Sequence, residues 1–206
     1  MKQGSLYEAL FQIGALIFVI IIVHATYVTV IRPNAELIQE QQQLMQEQNP
    51  DIVPERSVFI ILRDYEQEFC IIFFLWAVTI IGMKTQHTMR QRALLERTLV
   101  QLQDGMSILP EDSRNYARPV QALAPKEKEF LLPRALLAGL HRFQSTQNIQ
   151  AVSSIIKDTC ETEADRMETE LSIVRYIAWA IPSIGFLGTV RGIGTALGQA
   201  YQAVAG

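Results

Sequence analysis

Three apolar stretches set apart by charged ones constrain this chain more than any other feature. Residues 9–31, "ALFQIGALIFVIIIVHATYVTVI", contain no Asp, Glu, Lys or Arg. A bilayer takes about 20 helical residues to cross, so this stretch is long enough. Phe69 to Met83, "FCIIFFLWAVTIIGM", is shorter and spans if its polar flanks enter the headgroup region. Tyr176 to Gly206 carries a single charge, Arg191. The expected fold is an all-α membrane protein whose long transmembrane helices extend into a helical cytoplasmic region. The mild overall hydropathy reflects dilution of the three spans by polar segments.

The first span is longer than the apolar core of a signal peptide, and no small-x-small cleavage site follows it. It reads as a retained helix over residues 1–31. Residues 32–67 form an extracytoplasmic loop, 68–84 the second transmembrane helix, 85–174 a cytoplasmic helical region and 175–206 a third transmembrane helix. Charge sets this topology. Lys84, Arg90, Arg92 and Arg97 follow the second span directly, whereas acids dominate the loop before it. The positive-inside rule places residues 84–174 in the cytoplasm.

Within the loop, "NAELIQEQQQLMQEQ" spaces Leu37, Ile38, Leu44 and Met45 for one helical face, and "NPDIVPE" breaks it. "TMRQRALLERTLVQLQ" is expected to continue the second transmembrane helix, and Gly105, Pro110, Pro119 and Pro125 punctuate the loop-rich stretch after it. "KEKEFLLPRALLAGLHRFQ" is helical, kinked or delimited at Pro133. Ile149, Val152, Ile156, Cys160, Ala164, Met167, Leu171 and Val174 then recur at intervals of three and four. That is a helical stripe. No breaker separates it from the third span, so one long helix is expected from about residue 147 onward.

On a helical wheel Ala178, Pro182, Gly185, Thr189, Gly192, Ala196, Gln199 and Ala203 fall on one side of this last helix. Trp179, Phe186, Leu187, Val190, Ile193, Leu197, Tyr201 and Val204 fall broadly on the other. Gly188–Gly192 and Gly194–Gly198 have small-xxx-small spacing, which lets membrane helices approach closely. Periodicity alone supports a close-packed seam. Pro182 leaves a backbone carbonyl in need of a partner, and Thr189 offers a hydroxyl that can donate and accept. Arg191 either snorkels or pairs with an acid on another helix. Thr195 and Gln199 are lesser polar candidates.

"AIPSIGFLGTVRGIGTAL", with the preceding "ADRMETELSIVRYIAWA", closely resembles the signature of the MotA/TolQ/ExbB proton-channel family. The resemblance covers about residues 150–200. It implies a homo-oligomer, a pentamer, around two copies of an ExbD/TolR/MotB-like partner with one transmembrane helix. A transmembrane aspartate on that partner carries the proton, and the bacterial inner membrane is the setting. It also implies that Thr189 is the pore threonine, Pro182 the kink proline, and Gly185, Gly188 and Gly192 the glycines of the pore face. The first span is additional to the three-span ExbB/TolQ plan and is similar to the four-span flagellar stators. Many relatives carry Trp or another apolar residue where this chain has Arg191. The family's further helix, with a second pore threonine, is absent from this sequence up to Gly206.

Other function classes are weaker. "GIGTALG" lacks the preceding strand and βαβ unit that a dinucleotide site requires. Cys70 and Cys160 fit no metal-ligand spacing. His24, His87 and His141 lie far apart, and His24 is read as packing against a neighbouring helix. The net charge of -3 gives no nucleic-acid signal. No cofactor, metal or enzymatic activity is expected. The rival to transport is a non-conducting membrane scaffold oligomerised through the glycine-rich helix face.

Overall fold

The structure is a computed structural model that describes residues 2–48, 57–100 and 108–205. "NPDIVPE" and Gly105 lie outside the described residues. Among the described residues the secondary structure is helical throughout. Three helical segments are long and apolar enough to cross a membrane: Ala9–Gln48, Tyr65–Leu95 and Ile149–Tyr201.

Helix α1 (Lys2–Thr26) passes into a π-helical turn (Tyr27–Ile31) and on into α2 (Arg32–Gln48) without a break. The first span and the amphipathic segment are therefore one continuous rod. Pro33 supplies a reason for the π turn. It has no N–H to return to the preceding turn, and the wider ladder places Arg32 N–H on Tyr27 O. Asn34 Nδ2 donates to Val30 O at 2.7 Å and satisfies a further carbonyl there.

Helices α3 (Val58–Leu62) and α4 (Tyr65–Leu95) follow. Next come α5 (Ser113–Gln121), the short α6 (Pro125–Lys128) and α7 (Leu131–Thr146). Pro133 does not kink α7. It lies in the first turn, where a missing N–H costs nothing, and it is fully buried. α7 ends on Gln147 in the left-handed conformation, φ 50°. Asn148 then caps α8 (Ile149–Ala205): its Oδ1 accepts from Gln150 N–H at 2.8 Å and Ala151 N–H at 3.4 Å. α8 runs 57 residues through Pro182.

The chain divides into two compact units, Met1–Ile81 with Ile173–Gly206, and Gly82–Ser172. In the first, Val23, Tyr27 and Ile72 form a small core with Leu16, Val19, Ile31 and Ile71 around it. The α1 positions recur every three or four residues, as one helix face packed on α4 requires. Trp76 Nε1 donates to Gln12 O at 3.1 Å.

In the second unit α5 packs on α7. Ser113, Ala117 and Val120 are buried on α5, and Pro133, Ala135 and Gly139 on α7. Gly139 meets α8 closely: a Cβ there would stand 3.1 Å from Ile156 Cδ1. Arg134 donates to the buried Glu163 at 2.8 Å, and Lys84 to Glu170 at 2.7 Å. Hydrogen bonds from Lys84 and Arg166 outweigh burial and hold the Glu170 carboxyl below its ordinary value. The apolar stripe of α8 stays largely uncovered within the chain, with Ile149, Met167 and Leu171 exposed.

Candidate membrane site

α8 presents three distinct faces between Ile173 and Gln199. Ile173, Ile177, Ile181, Ile184 and Gly188 recur at three and four residues and are buried or half-buried. This is the face turned to α4. Cys70 Sγ on α4 lies 3.6 Å from Ile181 O. Gly188 is the tightest point: a Cβ there would stand 3.3 Å from both Cβ and Cγ of Glu66. A side chain there would press on the first turn of α4, and Glu66 would have to shift by a few tenths of an ångström to admit it.

The second face is the small-residue one. Pro182, Gly185, Thr189, Gly192, Ala196 and Gln199 are all exposed, as is Thr195 further round the helix. A Cβ built on Gly185 or Gly192 would find nothing within 4 Å. Pro182 gives Ala178 O no N–H in return, yet the helix continues through it. Thr189 Oγ1 donates to Gly185 O at 3.1 Å, and Thr195 Oγ1 to Arg191 O at 3.0 Å. Each hydroxyl hydrogen is thus held by its own helix, and the oxygen lone pairs remain to accept from outside. The third face carries Trp179, Phe186, Leu187, Val190, Ile193, Leu197 and Tyr201, all exposed and bulky.

Gly188 thus separates from the other candidate glycines. It packs on Glu66 within the chain, while Gly185 and Gly192 remain open. Arg191 is paired with acids on another segment. Its Nη2 stands 3.0 Å from Asp64 Oδ2 and 2.9 Å from Glu66 Oε2. Glu66 Oε2 makes no hydrogen bond of good geometry, so that contact is chiefly charge against charge.

A second charged group joins α1 to α4. Glu68 is buried and accepts on both oxygens, from His24 Nδ1 at 2.7 Å and Arg32 Nη2 at 2.5 Å. The Arg32 guanidinium also lies 4.3 Å from the Tyr65 ring centroid. His24 therefore packs against α4 through a polar contact. Asp64, Glu66 and Glu68 counted in the sequence only as loop charge. Among the described residues no group of three or more His, Cys, Asp or Glu is placed to hold a metal ion.

Helices long and apolar enough to span, a glycine-rich open face and compensated charges define a multi-span helical membrane protein. Residues 127–205, which run from the end of α6 through α7 and α8, match the model of the MotA/TolQ/ExbB proton channel family. Over these residues the chain is similar to that family. No match was found among curated proteins or solved structures.

Proposed function

We propose that the chain is a proton-conducting subunit of an energy-transducing motor in the bacterial inner membrane. In this reading Thr189 accepts and passes protons along the open face of α8. Pro182, Gly185 and Gly192 keep that face narrow enough for a close-packed partner helix. The partner is an ExbD/TolR/MotB-like protein with one transmembrane helix and a membrane-embedded aspartate. Copies of this chain, five in the family's plan, surround it. Residues 84–174 lie in the cytoplasm and residues 32–67 outside, following the positive-inside asymmetry.

The observation that carries the reading is the state of Thr189. It lies in the family-matched segment, on a face its own chain leaves uncovered, with a free acceptor oxygen. The three-and-four spacing of the apolar stripe Ile149 to Val174 runs on through Ala178, Pro182, Gly185 and Thr189. The exposed part of this stripe, from Cys160 through Leu171 and again from Ala178 to Thr189, suits assembly with further copies. The family is one of channels, which also argues against catalysis as the chain's role.

The test replaces Thr189 with Val in the chain co-expressed with its single-span partner. Proton flux, followed with a pH-sensitive dye in energised vesicles, is expected to fall to background. Assembly, followed by size-exclusion chromatography, is expected to persist. Flux that survives Thr189→Val removes the hydroxyl from the path. Absence of flux from the unaltered complex favours the scaffold reading.

A further inference from the structure

Arg191 is the one charge in residues 176–206, and such a charge in a membrane helix requires a partner or a route to water. The structure supplies partners from the segment that begins α4. Asp64 and Glu66 both reach the Arg191 guanidinium, at 3.0 and 2.9 Å. Arg63 Nε stands 3.8 Å from the other oxygen of Asp64. Two carboxylates thus face two guanidiniums, and the group as a whole is neutral.

Gly188, one turn before Arg191, belongs to the same device. Glu66 lies against Gly188, and its Cβ and Cγ stand 3.3 Å from where a Cβ on residue 188 would be. The glycine admits the acid that neutralises the arginine. At 100° per residue, Arg191 projects about 200° away from Thr189. An ion pair that holds Arg191 on α4 therefore fixes the rotation of α8 about its own axis. It also fixes the direction in which Thr189 faces.

We infer that Arg191 is a positioning residue, and that with Asp64, Glu66 and Gly188 it sets the azimuth of the open face of α8. Arg191 does not contact that face. Its effect on helix orientation holds whether or not Thr189 conducts protons.

The test uses the full chain in native membranes with Cys70→Ser, Cys160→Ser and Thr189→Cys. The rate at which the thiol introduced at position 189 reacts with N-ethylmaleimide reports how that position faces its surroundings. Arg191→Leu is expected to change that rate about tenfold, as release of a single fixed orientation implies. Arg191→Lys keeps a cation for the two acids and is expected to stay within about twofold. A residue that merely fills apolar space gives the reverse order, since Leu suits lipid better than Lys does. Equal rates in all three backgrounds overturn the inference, as does a larger change with Lys than with Leu. Should the Leu variant not accumulate, a second arm decides. Arg191→Cys and Glu66→Cys are introduced together, again without Cys70 and Cys160, and treated with a short bis-methanethiosulfonate. A cross-link within one chain, found by peptide mass analysis of the monomer band, supports the pairing. Cross-links confined to dimers, or none, overturn it.

Discussion

Two adjoining faces of α8 behave in opposite ways. Ile177, Ile181, Ile184 and Gly188 are covered by their own chain, and Arg191 beside them is paired with Asp64 and Glu66. Gly185, Thr189, Gly192 and Gln199 are covered by nothing in it. Both faces contain glycine, but the glycines serve different purposes. Gly188 makes room for a neighbour already present, whereas a Cβ at Gly185 or Gly192 meets nothing in the chain. Glycine in a membrane helix therefore cannot be assigned to a pore or a seam by type alone. What a Cβ would meet is the deciding quantity.

The sharpest way to break this contrast is at Gly188. Gly188→Val pushes branched methyls into Glu66 and is expected to destabilise the chain by about 3 kcal/mol. The loss should appear as a lower unfolding temperature in detergent and reduced accumulation. Gly192→Ala is the matching change on the open face. It meets nothing in the chain and improves helix propensity by up to about 1 kcal/mol. Its thermal stability as a monomer should hold or rise, while its self-association weakens. If Gly192→Ala unfolds the chain as Gly188→Val does, the two faces are not distinct.

The polar portion offers a milder version of the seam. Lys84 and Arg166 hold Glu170 as a carboxylate, and its pKa is below the ordinary value when folded. A lowered pKa adds stability above the ordinary glutamate value, and that stability is lost as pH falls through the folded pKa. Lys84→Met should cost on the order of 1 kcal/mol near neutral pH. The difference from the unaltered chain should shrink in acid, below the ordinary glutamate range. A stability gap that is flat across that range would detach Glu170 from the effect. The Arg191–Asp64 contact, whose side chains are 48% and 42% exposed, should respond more to added salt than the Lys84–Glu170 pair at 20% and 25%.

Much of the architecture is legible in the sequence because helical periodicity and span length are local properties. Apolar length marks the three spans, and spacing marks the small-residue face with Thr189 at its centre. Asn148 and the glycines at residues 188 and 192 are visible too, though not their separate roles. Other features depend on which chemically similar groups meet. Nothing local distinguishes Glu66 and Glu68 from Glu36 or Glu40, yet the first two are engaged by Arg191, His24 and Arg32. The apolar stripe from Ile149 to Val174 suggests a covered face, but beyond Val152 and Ile156, which meet Gly139, the chain covers mainly the neighbouring one. There the buried contacts include Glu163 with Arg134.

The sequence by itself determined that this is a helical membrane protein with one exceptional glycine-rich helix. Hydrocarbon requires backbone groups to be satisfied inside a helix, and small residues at fixed spacing share a side of it. Only the tertiary structure decided what Arg191 pairs with. Its meaning lies in Asp64 and Glu66, more than 120 residues away in the chain. A charge is interpretable in a membrane helix only once the groups that neutralise it are in place.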